Sequence, residues 1–97
     1  MYLLCRTPSR GLEAQQAIRQ ESENARVYFA QVDVSDFTSI QAFVDQFDVT
    51  HVDVLVHNAG VLPHSRAVTS AGVELTLATN LVGPQQVWLF CLNKGLV

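Results

Sequence analysis

Positive charge is scarce in this sequence of 97 residues, which has six lysine and arginine residues against nine acidic ones. The formal net charge is −3 at pH 7, and the basic residues form no cluster along the chain. Proteins that bind nucleic acids usually concentrate lysine and arginine on one surface, where these side chains neutralise phosphates. We therefore expect no nucleic-acid partner.

Cysteine is also scarce, and the histidines are widely spaced. Cys5 and Cys91 lie near opposite ends of the chain, which argues against both a disulfide framework and a cysteine-based metal site. We expect them to be small hydrophobic residues in a reducing compartment. His51, His57 and His64 match no compact ligand motif, so we predict no metal site.

Long hydrophobic runs are absent too. The longest one near the C-terminus, residues 87–92, is much shorter than the ~20 residues that a membrane-spanning helix needs. The apolar start, residues 1–5, is too short for a secretory signal peptide. The sequence therefore predicts one domain at most, without a transmembrane segment, in the cytoplasm or at a membrane surface.

Three short apolar runs alternate with helical patterns along the chain. The runs at residues 2–5, 27–32 and 52–56 predict strands. Helices are predicted after each of them, with the following candidate starts: Thr7 with Pro8, then Ser35 or Asp36, and finally Thr69 or Ser70. Ile40, Phe43, Val44 and Phe47 have the spacing of one buried helical face in the second helix. We expect Gly83-Pro84 to interrupt the third helix.

Apolar strands that alternate with helices indicate an α/β fold with a parallel sheet. Ligands of such sheets bind beyond the carboxyl ends of the strands. Three groups of residues follow the predicted strands directly: Arg6, Asp33-Val34, and Asn58-Ala59-Gly60. Their shared position is the main indication of function in the residues themselves.

Each group also has a purely structural interpretation. Arg6 could hold a phosphate or be a solvated strand-end residue, and Asp33 could accept a hydrogen bond from an adenine amine or cap a helix. Gly60 could adopt a positive φ and admit a ligand to the backbone, or belong to a simple turn. The residue pattern alone leaves these alternatives open.

Taken together, four stretches resemble the short-chain dehydrogenase/reductase family, and more narrowly its retinol-dehydrogenase-like branch. They read "YLLCRTPSRG", "VYFAQVDVSD", "VDVLVHNAG" and "GVELTLATNLVGP". The resemblance covers residues 2–84. It implies a partial NAD(P)-binding Rossmann-like domain at residues 1–84, a doubly wound parallel sheet with three strands alternating with helices. The first family strand is missing, and residues 85–97 form a divergent tail.

The resemblance also assigns roles to the residues at the strand ends. Asp33 and Val34 would contact the adenine of the cofactor, and Arg6 matches a position that favours NADP(H). Asn58-Ala59-Gly60 matches the family motif Asn-Asn-Ala-Gly, with His57 in place of its first asparagine, and borders the cofactor. Asn80 matches the asparagine of the catalytic set Asn-Ser-Tyr-Lys.

The remaining family motifs do not occur in these residues. No G-x-x-x-G-x-G loop and no Tyr-x-x-x-Lys pair is present, and Lys94 is the only lysine. We therefore expect a fragment or isoform of an NADP(H)-dependent oxidoreductase with a small alcohol or carbonyl substrate. We expect neither turnover nor tight cofactor binding by the chain alone. The alternative is a non-catalytic short isoform that binds another protein, and a homo-oligomer is left open.

Overall fold

The computed structural model describes all 97 residues. It is an α/β structure with one sheet, made of two parallel strands, which confirms the predicted fold class. The chain divides into two compact units, residues 1–33 and 34–97. None of the helices has the length and apolar character that crossing a bilayer demands.

The first unit is a β-α-β motif. Strand β1 (Tyr2–Cys5) leads into helix α1 (Pro8–Ser22), and strand β2 (Tyr28–Gln31) returns parallel to β1. The register aligns Tyr2 with Tyr28 and Cys5 with Gln31. Parallel neighbours need a crossover of this kind, because a tight hairpin can join only antiparallel strands. The first two predicted strands and the first helix are therefore confirmed.

Helix α1 packs closely on β2 through a residue without a side chain. A Cβ atom placed on Gly11 would overlap the ring of Phe29, so glycine is required at this contact. The carbonyl oxygen of Val27 accepts hydrogen bonds from Gln15 Nε2 at 2.8 Å and from Arg19 Nε at 3.0 Å. These bonds fix the chain where it enters β2.

The second unit begins with helix α2 (Phe37–Gln46). Asp36 is its N-cap, because the Asp36 side chain accepts a hydrogen bond from the Thr38 N–H at 3.0 Å. Ile40 and Val44 are buried on the predicted face of the helix. The rings of Phe43 and Phe47 on the same face lie 4.7 Å apart. The predicted cap and the predicted apolar face are both confirmed.

The last helical region is continuous and starts later than expected. Helix α3 (Leu75–Leu77), a π-helical turn (Ala78–Val82) and helix α4 (Gly83–Asn93) follow one another without a break. The predicted start at Thr69 or Ser70 is wrong. Those residues form a turn, in which Gly72 has a φ of 81° and donates its N–H to the Thr69 carbonyl at 2.9 Å.

The expected interruption at Gly83-Pro84 is also wrong. The Gly83 N–H closes the π-helical turn by donating to the Ala78 carbonyl, five residues back. Pro84 has no N–H to donate and lies in the first turn of α4. Proline is tolerated in a first helical turn, since its fixed φ suits a helix there.

The third predicted strand, residues 52–56, does not form. Only Val52 in this run makes a backbone hydrogen bond, donating its N–H to the Leu96 carbonyl at 2.8 Å. Val54 and Val56 are 77% and 74% exposed. A strand exists through its ladder of backbone hydrogen bonds, and these residues lack a neighbouring strand to supply one.

Candidate functional site

In the first unit, Arg6 and Asp33 lie at the same edge of the sheet. Both strands run parallel and in register, and the Val32 N–H extends the ladder by donating to the Cys5 carbonyl at 3.0 Å. Gln31 Nε2 donates to the Arg6 carbonyl at 3.3 Å. The Arg6 side chain is exposed and Asp33 is half-buried. One cationic and one anionic side chain therefore follow the carboxyl ends of neighbouring strands, as predicted.

In the second unit, Asn80 binds the backbone that follows the Asn-Ala-Gly sequence. Its Oδ1 accepts a hydrogen bond from the Val61 N–H at 2.8 Å, and its Nδ2 donates to the Val61 carbonyl at 3.0 Å. One side-chain amide thus satisfies both backbone groups of a single residue, as a strand neighbour would. We call this pair of hydrogen bonds the Asn80–Val61 clamp.

Gly60 lies beside the clamp and is exposed, as are Asn58 and Ala59. A Cβ atom on Gly60 would come no closer than 3.5 Å to another residue, at Asn80 Oδ1, which is an ordinary contact distance. Positive φ among the glycines occurs at Gly72 and Gly95, so Gly60 does not use the conformational freedom that the sequence left open to it. A methyl group would therefore be accommodated at position 60 beside the Asn80 amide, so close packing does not require glycine there.

Val34 lies against Gly83, the residue that follows the π-helical turn. A Cβ atom on Gly83 would overlap the Val34 carbonyl oxygen. Glycine at position 83 therefore permits a close approach of two backbone segments. As a result, the π-helical turn contacts Val34 through Gly83 and the loop after Gly60 through Asn80. Single π-helical turns are frequent at functional sites.

An open groove of about 910 Å³ adjoins Asn80 in the second unit. One wall is formed by residues 51–57, and the other by the π-helical turn with the start of α4. The lining residues are His51, Val52, Asp53, Leu55, His57, Asn80, Leu81, Pro84, Gln85, Trp88 and Val97. No three ligating side chains lie close enough together to hold a metal ion.

Two ionisable groups of the second unit have shifted pKa values. Backbone hydrogen bonds from Leu77 and Thr76 to the Glu74 carboxylate lower the pKa of that side chain, because they favour its charged form. Burial raises the pKa of the Cys91 thiol. Cys91 is therefore an interior residue in its neutral form, as the sequence predicts, and Glu74 is an ionised helix cap.

The sequence interpretation missed three residues that shape this region: Val61, Glu74 and Gly83. Val61 carries no signal, since it acts through its backbone. Glu74 carries only a weak signal, because Ser, Thr, Asp and Asn are the usual N-cap residues and glutamate is not among them. Gly83 could have been interpreted as a close backbone approach, rather than as a helix end.

Comparison with known protein sequences identifies the family of this chain. The sequence model of the family described as short chain dehydrogenase matches residues 1–94. Dehydrogenase/reductase SDR family member 12 of Homo sapiens is 33% identical over 98 residues, which cover 100% of this chain and 29% of that protein. Dehydrogenase/reductase SDR family member 13 of Homo sapiens is 37% identical over 86 residues, 87% of this chain and 22% of that protein.

Retinol dehydrogenase 12 of Bos taurus is 33% identical over 85 residues, which cover 86% of this chain and 27% of that protein. The chain thus spans between a fifth and a third of the length of these relatives. No solved structure matches the chain. With a family match over residues 1–94, the chain belongs to the short-chain dehydrogenase family and is similar to its retinol dehydrogenases.

Proposed function

We propose that this chain is the cofactor-side part of an NADP(H)-dependent oxidoreductase that acts on an alcohol or carbonyl compound. The Asn80–Val61 clamp carries the proposal, because Asn80 is the one residue here that matches the family's catalytic set. Through the clamp, Asn80 also fixes the loop that follows Gly60. Family membership and the strand-end position of Arg6 and Asp33 support it. The relatives' names suggest alcohol and carbonyl chemistry, including a retinol dehydrogenase.

The residues of each unit fit parts of such a cofactor. Asp33 offers a half-buried carboxylate for the adenine amine, and Arg6 offers an exposed guanidinium for the 2′-phosphate that distinguishes NADP from NAD. In the second unit, Val34 would contact the adenine, and the exposed Asn58-Ala59-Gly60 backbone would border the cofactor. When bound, the nicotinamide would supply the hydride chemistry.

The role proposed for Asn80 is testable in the longest protein that the corresponding transcript encodes. We expect the flanking sequence to encode a glycine-rich loop before these residues and a Tyr-x-x-x-Lys pair after them. In that protein, Asn80→Ala should lower NADPH-dependent carbonyl reduction by about tenfold or more, because the loop beside Gly60 loses its position. The 97-residue chain alone should show background turnover.

Asn93→Ala is the matched control, since Asn93 is an exposed amide at the end of α4, the helix that follows the π-helical turn. It should retain the parent rate. The proposal fails if the flanking sequence encodes neither motif, or if both variants keep full activity. Turnover by the 97-residue chain itself would show that these residues suffice for catalysis, against our expectation.

A second candidate function is a non-catalytic one, in which the chain binds a full-length relative. The observation that favours it is the exposure of apolar side chains around the unformed strand, with Val54 at 77% and Leu62 at 90%. Exposed apolar segments with unpaired backbone are typical sites of association. Co-purification of the chain with a full-length relative would support this function. A chain that recovers no such relative in a pulldown would contradict it.

A further inference from the structure

Arg6 lies in a bend between strand β1 and helix α1. The residues on both sides of it are fixed by backbone hydrogen bonds. The Cys5 carbonyl accepts one from the Val32 N–H at 3.0 Å, and the Thr7 carbonyl accepts one from the Gly11 N–H at 3.0 Å. Arg6 makes no backbone–backbone hydrogen bond. Its backbone is thus a link between sheet and helix that the hydrogen bonds of neither element hold.

Gln31 supplies a hydrogen bond at this position. It is the last residue of β2 and the register partner of Cys5. Its Nε2 donates to the Arg6 carbonyl at 3.3 Å. Chemistry fixes the direction of this bond, because a carbonyl oxygen only accepts and the amide nitrogen is the donor of a glutamine side chain. A side chain of β2 therefore holds the backbone of the bend that follows β1.

The position of the Arg6 guanidinium depends on this backbone. The Arg6 side chain is exposed, so burial does not fix its direction. A long, flexible side chain loses conformational entropy when a ligand immobilises it. A backbone that is already fixed lowers this cost, and a pre-organised contact binds its ligand more tightly. Loss of the bond from Gln31 would let the bend, and with it the guanidinium, adopt other positions.

We propose that Gln31 is a positioning residue, which strengthens the preference for NADP(H) over NAD(H) by holding the backbone of Arg6. It acts through Arg6, whose guanidinium would contact the 2′-phosphate, and makes no contact with the cofactor itself. This role rests on the proposed function, because only a ligand with a 2′-phosphate uses Arg6 in this way. A ligand without that phosphate should be insensitive to a change of Gln31.

Two nucleotides that differ in one phosphate test this role: AMP, and AMP that carries an additional phosphate on its 2′-hydroxyl. Titration of each into the isotope-labelled chain, followed through the backbone amide resonances around Arg6, gives an apparent affinity. The parent should bind the 2′-phosphorylated nucleotide more tightly. Gln31→Met keeps an unbranched side chain without an N–H donor. It should reduce this preference by about threefold or more, as expected for one lost hydrogen bond, and leave the affinity for AMP unchanged.

Gln16→Met is the matched control, because it makes the same change at an exposed glutamine of α1. It should keep the preference of the parent. Gln31→Thr is a second variant, since threonine suits a strand but its hydroxyl is too short to replace the glutamine amide at the Arg6 carbonyl. It should show the same loss as Gln31→Met. The dispersion of the amide resonances would show that each variant is folded.

A double variant shows whether Gln31 acts through Arg6. Once Arg6→Ala has removed the guanidinium, Gln31→Met should cause no further loss of affinity for the 2′-phosphorylated nucleotide. Such non-additivity is expected of two residues that share one effect. A further loss would mean that Gln31 contacts the nucleotide directly, and it would overturn the positioning role.

The remaining outcomes separate this role from the proposed function. A Gln31→Met variant with the full preference of the parent would overturn the role of Gln31 and leave the NADP(H) site intact. An equal loss in Gln16→Met would overturn it too, because the effect would not depend on the bond to Arg6. Equal affinities of the parent for the two nucleotides would instead refute the NADP(H) site, and the role of Gln31 with it.

Discussion

Asn80 shows how one side chain can organise a functional region. Its amide binds both backbone groups of Val61. Asn80 itself is an exposed residue of the π-helical turn. The resemblance to the family identifies this residue from the sequence. The partner does not follow from the sequence, because a backbone group carries no residue signature and the separation of 19 residues is too long for a local rule.

Glu74 gives a prediction at the same scale. Its carboxylate accepts hydrogen bonds from the Thr76 and Leu77 N–H groups at 3.0 and 2.9 Å, which lowers its pKa from the ordinary value of 4.5. The stabilisation is therefore full above pH 4.5 and is lost as the pH falls through the lower pKa of the folded chain. Glu74→Gln should unfold at lower urea concentration than the parent at pH 7.

The difference in urea midpoint between Glu74→Gln and the parent should shrink in acid, because the Glu74 carboxylate of the parent is then protonated and, like glutamine, carries no charge. Urea unfolding at pH 7 and at pH 3 would measure it. Glu13→Gln is the control, because it removes the same charge from α1 without removing a helix cap. If Glu13→Gln reproduces the pH dependence of Glu74→Gln, the effect belongs to net charge and not to the cap.

At the scale of elements, the N-termini of α1 and α2 differ in a way that can be measured. Asp36 caps α2 with its side chain, whereas Thr7 has the N-cap position of α1 but makes no side-chain cap bond. Asp36→Ala should lower the free energy of unfolding by about 1 kcal/mol. Thr7→Ala should change it by less than about 0.5 kcal/mol. Urea unfolding would test this, and equal losses would contradict the assignment of the caps.

The two glycines near the π-helical turn make a second prediction at this scale. A methyl group on Gly83 would overlap the Val34 carbonyl, whereas one on Gly60 would make only an ordinary contact with Asn80. Gly83→Ala should therefore destabilise the chain by about 1–3 kcal/mol, and Gly60→Ala should be tolerated. Thermal melts of the two variants would compare them. A Gly83→Ala variant as stable as the parent would show that these backbones are not closely packed.

The elements that the sequence predicted well are those defined by nearby residues. Helix α2 has a capping aspartate and a regular apolar face, and β1 and β2 are short apolar runs around a helix. Residues 52–56 have an equally strong apolar pattern, yet they form no strand, because a strand depends on a partner elsewhere. The third helix was predicted to start too early, because Thr69 and Ser70 are residue types that favour the N-cap position. In the structure they belong to a turn, in which Gly72 has a positive φ.

At the scale of the whole molecule, part of the candidate site follows from topology and part does not. Parallel strands put their carboxyl ends at one edge, which is why Arg6 and Asp33 could be grouped from the sequence. A glycine at position 83 can suggest a close backbone approach, but the sequence does not show that Val34 is the residue it approaches. The roles of Arg6, Asp33, Val34, Asn58, Ala59 and Gly60 toward a cofactor stay predictions that binding measurements can test.

The preference for NADPH over NADH tests the central proposal most directly. With the isotope-labelled chain, we expect NADPH to shift the backbone amide resonances of Arg6, Asp33 and Val34 more than NADH does, without saturating at micromolar concentration. Arg6→Ala should abolish the difference between the cofactors, since it removes the partner of the 2′-phosphate. Arg10→Ala, which removes an exposed charge from α1, should preserve it. Equal responses to NADPH and NADH in the parent chain would contradict the assignment of an NADP(H) site.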